Sequence, residues 1–231
     1  MKQFVRRLYD WFMYPHWLVS VRKFLRSERP RLLDVGCGNH SPRTAKRYLP
    51  LCEYHGLDRA RWNRDAADDR CMERFFDVDL EDLRALDQVP DGYYDAVICS
   101  HVLEHVADPY GVAHRLTAKL KPGGVLYVET PSARSLSLPR AKNGWWLIRG
   151  CLNYYDDESH RTFVDLRQLA TELQAGGLRV FGPRRRRLWR RIWCLPVYIL
   201  AVLIVKRFIP ASIVWDVAGF ADVLVAQAGE T

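Results

Sequence analysis

The sequence predicts an α/β fold: a mostly parallel sheet of seven strands with helices on both faces. Three observations predict it. Short apolar runs alternate with helical segments from residue 31 to residue 182, the pattern of a parallel sheet covered by its own crossovers. Glycine and proline clusters separate the runs. The first apolar run ends in Gly36-Cys37-Gly38 and leads into a helix, the layout of a ligand-binding turn at the carboxyl end of a strand.

The elements follow in order. Residues 1–29 read as amphipathic helices, with Phe4, Val5, Leu8, Trp11, Phe12, Leu18, Val21, Phe24 and Leu25 on one face and Arg6, Arg7, Arg22, Lys23 and Arg26 on the other. They lack an uninterrupted apolar stretch and a small-residue cleavage site, so no signal peptide is expected. Residues 31–35 form the first strand and 41–50 a helix with Pro42 in its first turn. Strands follow at 53–58, 74–80 and 94–100. A helix is expected from His101 onward, then a Pro122-Gly123-Gly124 turn and a fifth strand at 123–131. Residues 166–177 read as a helix stopped by glycines, 178–182 as a sixth strand and 221–228 as the last. The layout is one domain: residues 1–29, a core at 30–182, an insertion at 183–220 and the strand at 221–228.

Composition narrows the function. The net charge is +8, and residues 184–207 carry all of it, with seven Arg, one Lys and no acid. One local anion-attracting patch fits this better than a uniformly basic nucleic-acid binder. The six cysteines are scattered without a CxxC pair, which argues against structural zinc and a disulfide framework and for a reducing cytoplasm.

The chemistry is concentrated at strand ends. In LLDVGCGNH (32–40), Gly36 and Gly38 let the chain turn tightly and a ligand approach the backbone. The third glycine of a dinucleotide fingerprint would fall at Ser41, which argues against NAD and FAD. Asp34 would repel a pyrophosphate and attract an amino group. Asp58 ends the second strand 20 residues after Gly38, where a carboxylate accepts both hydroxyls of a ribose. Among Asp77, Asp79, Glu81 and Asp82, Asp79 is placed to accept from an adenine amino group, with Leu80 against the ring; a solvated acidic turn is the alternative.

These segments, with PDGYYDAVICSHVLEHVADP (90–109) and LKPGGVLYVETPS (120–132), resemble the successive motifs of class I S-adenosylmethionine-dependent methyltransferases. They are closest to the branch of small-molecule and quinone-biosynthesis enzymes. ESHRTFVDLRQLATELQAGGLRV (158–180) resembles that branch's later segment. The resemblance implies a Rossmann-like fold and S-adenosyl-L-methionine as cofactor. It places Asp34, Gly36, Cys37 and Gly38 around the methionine part, Asp58 on the ribose, Asp79 and Leu80 beside the adenine, and Ser100 and His101 near the sulfonium. His40 stands where the family often has glycine.

An activated sulfonium mainly needs positioning, and a hydroxyl acceptor may need a base. His160 and His101 are the candidates; His105 reads as structural. The acids and His160 in DDESH (156–160) have no specific metal spacing, so no metal is expected. Trp145, Trp146, Tyr154 and Tyr155 follow the fifth strand, where they suit a flat, lipidic or sugar acceptor or else cover the sheet edge.

The stretch RRRRLWRRIWCLPVYILAVLIVKRF (184–208) is too short in its apolar part to span a bilayer and must return to the same sheet. The expectation is a monotopic element on the anionic inner face of a membrane, bringing the enzyme to a small or lipid-linked acceptor such as a quinone precursor, lipid or glycan. A helix buried in a homodimer or under the N-terminal helices competes with it. Nucleic acid is disfavoured, because an RNA-binding patch leaves the apolar half unexplained; a non-catalytic cofactor-binding scaffold is the remaining alternative.

Overall fold

The architecture comes from a computed structural model that describes Arg7 and residues 10–230. The expected apolar positions Phe4, Val5 and Leu8, and Arg6 of the basic face, lie outside the described residues.

Strands β1 (Arg31–Val35), β2 (Glu53–Asp58), β3 (Arg74–Asp77), β4 (Tyr94–Ser100), β5 (Leu120–Pro131), β6 (Arg179–Arg185) and β7 (Ala221–Gln227) form one sheet in the order β3-β2-β1-β4-β5-β7-β6. Every pairing through β5 is parallel, and β7 runs antiparallel between β5 and β6. This is the expected Rossmann-like topology.

Side-chain alternation along the strands builds two cores. Leu33, Val35, Val97, Cys99, Leu126 and Val128 point to one face, covered by α4 (Pro109–Thr117) and α5 (Leu166–Ala175) through Val112, Leu116, Leu169 and Leu173. Leu32, Tyr54, Ala96, Ile98, Val125 and Tyr127 point to the other, covered by Leu18 and Val21 of α1 (His16–Val21) and Ala45 of α2 (Ser41–Tyr48). The one-turn helix α3 (Ala66–Asp69) follows β2 and is closed by a capping box from Asp65.

Three expectations are corrected. No helix begins at His101. That residue is left-handed (φ 55°), a 3₁₀ turn covers Leu103–His105, and α4 starts at Pro109 with the Asp108 carboxylate capping Gly111. The left-handed His101 is tied to β5, where its amide donates to the Glu129 carbonyl at 2.8 Å and its ring meets the Glu129 carboxylate. The Pro122-Gly123-Gly124 turn lies inside β5 as an irregularity, with the register shifting between Tyr94 and Ala96. The sixth strand continues to Arg185, so the first two arginines of the basic run are strand residues on β7.

The rest of the insertion is α6 (Trp189–Lys206) and α7 (Ala211–Ala218). The inner side of α6 lies on the N-terminal segment: Phe12 and Tyr198 meet edge to face at 4.9 Å, Arg190 donates to the Tyr14 carbonyl (2.5 Å) and Arg191 to the Phe12 carbonyl (3.3 Å). Its outer side is an unbroken apolar stripe of exposed residues, Trp189, Trp193, Val197, Leu200 and Ile204, at the spacing of one helix face. Among the described residues, no helix is long and apolar enough to cross a membrane.

Candidate functional site

The carboxyl ends of β1, β2, β3 and β4 converge on the glycine turn. The Gly36 amide donates to the Leu57 carbonyl at 2.8 Å, which ties the turn to β2. Gly36 has φ 74°, and a Cβ there would sit 2.4 Å from Cγ2 of Val102. A Cβ on Gly38 would sit 2.7 Å from the Trp62 carbonyl oxygen. Gly36 is therefore required by its left-handed backbone and the Val102 side chain, and Gly38 by the close approach of the Trp62 backbone. The His40 backbone takes the left-handed conformation a glycine would supply (φ 57°), and its ring is held by Asp68 at 2.7 Å.

Asp34 is buried, and its carboxylate accepts from the hydroxyls of Ser41 and Tyr54. Burial pushes its pKa up to about 6, against those two hydrogen bonds. Ser41, which argued against a dinucleotide site, thus orients the acid of the turn. The Cys37 thiol points inward, is pushed up to about 12 by burial, and receives Arg64 Nη1 at 3.3 Å; only the backbone of Cys37 is left to meet a ligand. Asp58 ends β2 half-buried, accepts from the Ala60 amide at 3.2 Å, and has a pKa raised by burial. Asp79 is exposed, accepts from the Glu81 amide at 3.0 Å and faces Arg59 at 3.9 Å, while Leu80 packs on the core.

Ser100 and His101 lie at the end of β4. Both His101 nitrogens face buried carboxylates, Nδ1 at 3.0 Å from Glu104 Oε1 and Nε2 at 3.1 Å from Glu129 Oε1. Burial alone would lower its pKa, but the hydrogen bonds and charges of these acids raise it to about 9. Both ring nitrogens of His101, proposed from the sequence as a base, are engaged by buried acids in this structure. Glu129 also binds Arg186 Nη1 (2.9 Å) and the Tyr127 hydroxyl, Arg186 Nε meets Asp216 (3.2 Å), and Tyr127 meets His16 Nδ1 (2.8 Å). This network joins β4, β5, α1, α7 and the insertion. Nothing in the sequence marked its long-range pairs, although an acid inside the apolar run VLYVET was a signal that Glu129 is buried and paired.

With β1–β4 and this turn in place, the matching family is decisive. The methyltransferase domain family matches residues 9–181, well over half of the 231. The chain belongs to that family. The ubiquinone biosynthesis O-methyltransferase of Xanthomonas campestris pv. campestris is 31% identical over 159 residues, 65% of this chain and 63% of that relative. The chain therefore spans less than two thirds of the curated relative it matches. A SAM-dependent methyltransferase from Archaeoglobus fulgidus superposes over 97% of this chain and 99% of its own, with TM-score 0.53 and 19% identity. One from Mesorhizobium loti covers 94% and 99%, with TM-score 0.56 and 14% identity. These two share the fold. The cofactor that goes with this methyltransferase domain is S-adenosylmethionine, and the residues fit it: a Cβ-free backbone cradle, an acid at its base and a half-buried acid at the end of β2.

On the acceptor side the methyltransferase domain separates the four predicted aromatics. Trp146 is 89% exposed and Trp145 and Tyr155 are exposed too, so they line no closed pocket. Their loop is tied to the end of α6, where Ile148–Arg149 pairs with Ile209–Pro210. Tyr154 is buried, with its ring 4.6 Å from His160, and His160 lies 4.9 Å from His105. His160 Nδ1 is 2.6 Å from the Tyr154 carbonyl, and burial lowers its pKa.

Proposed function

We propose that this chain transfers the methyl group of S-adenosylmethionine to a hydroxyl of a small or lipid-linked acceptor at an anionic membrane surface. The family and the glycine turn with Asp34 and Asp58 support the cofactor half. The bound cofactor supplies an activated sulfonium methyl. Asp58 would hold the ribose, Asp34 and the Gly36–Gly38 backbone the methionine part with its ammonium, Asp79 and Leu80 the adenine, and Ser100 would line the region of the sulfonium. The named relative acts in ubiquinone biosynthesis, which favours a quinone precursor among amphipathic acceptors. His160, with Nδ1 committed to a carbonyl, offers Nε2 as the proton-accepting atom.

Asp34 predicts a pH dependence. Its folded pKa of about 6 lies above the ordinary carboxylate range, so its stabilising share in the free protein is full below about pH 4 and lost as pH rises through 6. An ammonium ligand needs the carboxylate, so cofactor affinity should rise over the same window. Calorimetric titration with S-adenosylhomocysteine should give a Kd about tenfold weaker at pH 5 than at pH 7.5, and Asp34→Asn should remove that step.

The observation that carries the membrane half is the exposed stripe on α6, where Trp193 is 80% and Val205 80% exposed. A helix apolar on both sides and covered on one needs a second apolar environment. Exposed Arg187 precedes this face and Lys206 and Arg207 follow it, which suits anionic headgroups at both ends of a helix lying in the interface. The tryptophans Trp145 and Trp146 extend the surface at its carboxyl end. The arginine run itself does less than expected for lipid: Arg184 reaches Ser20 at 3.3 Å, Arg186 is buried, and Arg190 and Arg191 bind backbone carbonyls. The same engagement weakens an RNA-binding role.

Sedimentation with phosphatidylglycerol vesicles should pull down the wild type, less so at high salt. Trp193→Glu with Val197→Glu should cut binding by at least about tenfold, since each buried apolar side chain contributes about 1.5–3 kcal/mol. A concentration-dependent dimer that ignores vesicles would assign the stripe to a second copy instead.

A further inference from the structure

Trp62 stands in the loop that leaves Asp58, and it is 64% exposed. The stripe on α6 does not account for it. β2, which feeds this loop, is second from one edge of the sheet, and β6, which leads into the insertion, forms the other edge. The loop is fastened to the glycine turn at three points. The Asn39 amide donates to the Trp62 carbonyl at 3.4 Å. Asn63 Nδ2 donates to Asn39 Oδ1 at 2.8 Å. Arg64 Nη1 reaches Cys37 Sγ at 3.3 Å. The Arg64 side chain is buried, with Nε 3.0 Å from Asp69 Oδ1 and its guanidinium 4.1 Å from the centre of the Phe75 ring. Between the exposed indole and the buried guanidinium, Asn63 takes a left-handed backbone (φ 45°), which asparagine tolerates better than most residues.

The indole lies against the glycine turn. Its Cε3 is 3.3 Å from the point that a Gly38 Cβ would take, so ring and turn share one surface. The same loop borders both acids expected at the adenosine. It starts at Asp58, and Arg59 faces Asp79 at 3.9 Å. A large aromatic side chain is thus held in place at the mouth of the cofactor cradle, where its face is open to a ligand. Sites for nucleosides use aromatic faces in this way, because every base and its sugar edge offer apolar surface to cover.

We propose that Trp62 is a cofactor-binding residue, its indole forming the outer wall of the site and covering the adenosine half of S-adenosylmethionine. The proposal rests on S-adenosylmethionine as the cofactor and on Asp58 at its ribose. A wall of this kind touches neither the sulfur nor the methyl group. It therefore binds ground state and transition state alike, so its loss raises KM for the cofactor and leaves kcat unchanged.

The test is calorimetric titration of the full-length protein with S-adenosylhomocysteine and with methylthioadenosine, which keeps the adenosine and lacks the amino acid. Trp62→Ala should weaken both ligands by the same factor, about 10- to 100-fold, as when an aromatic ring is removed from a stacked base, whereas Trp62→Phe keeps an aromatic face and should lose less than about threefold. Asp34→Asn should weaken S-adenosylhomocysteine alone. The Tm of the free protein should not move in Trp62→Ala, because the side chain is exposed. In the wild type, S-adenosylhomocysteine should shield tryptophan fluorescence from acrylamide, and Trp62→Phe should bind without that shielding. Affinities indifferent to Trp62→Ala would overturn the proposal. So would weaker binding with no shielding in the wild type, which would make Trp62 a prop for the turn rather than a contact. Weakening of S-adenosylhomocysteine alone would overturn the adenosine assignment. Binding as expected without methyl transfer to any acceptor would leave Trp62 in place and remove the transfer function. A wild type that binds neither ligand would overturn the cofactor site as a whole.

Discussion

Arg186→Met is expected to destabilise the fold by about 3–5 kcal/mol, the cost of stranding a buried charge by deleting its partner. Arg186 is 8% exposed and binds Glu129 and Asp216, which are also buried. Burial by itself would raise the Glu129 pKa, but the Arg186 charge and then His101 hold it well below the usual carboxylate range. With the guanidinium gone, Glu129 keeps only His101 and the Tyr127 hydroxyl, and Asp216 loses its ion-pair partner. For a chain of this length the loss should appear as a fall in Tm of about 10 °C. The sign with pH is determined. A carboxylate with a depressed folded pKa contributes stability above its unfolded pKa, lost as pH falls through the folded value. The variant lacks that contribution, so the gap to wild type should narrow as the solution is acidified. Arg187→Met, at an exposed neighbour, should change stability by less than about 0.5 kcal/mol. Equal effects from the two substitutions would show that the run acts as a uniform basic surface.

The second large effect is on the cofactor. Asp58→Ala should weaken S-adenosylhomocysteine binding by at least about hundredfold, the loss of two hydrogen bonds to a charged acceptor at about 1.5–3 kcal/mol each. Stability should be unchanged or slightly raised, because burial penalises this carboxylate in the free protein. Asp58→Asn should fall between, keeping one acceptor without the charge. Calorimetry with thermal unfolding as the control separates lost affinity from lost fold.

The parts legible in the sequence were those fixed by local pattern. The second strand runs from Glu53 to Asp58 as expected, and the glycine turn follows the first strand. The last strand returns to the sheet, as the argument against a single membrane span of the insertion requires. What was illegible depended on partners far along the chain. The sequence predicts a helix from His101 onward, yet the left-handed residue is tied to Glu104 and Glu129. The arginine run read as one surface, but it divides among a strand, a buried ion network and carbonyl contacts 176 and 179 residues away. Composition located that charge without saying which arginines spend it inside the protein. Trp145 and Trp146 were grouped with Tyr154 by sequence proximity, and only tertiary packing turns Tyr154 inward and leaves the tryptophans beside α6.

The most direct measurement is incubation of the full-length protein with methyl-labelled S-adenosylmethionine and fractionated membranes and cytosol, with Asp58→Ala in parallel. The account predicts label in a lipid-soluble product of the membrane fraction, absent with Asp58→Ala. Label in RNA, or cofactor binding with no labelled product in any fraction, would contradict it.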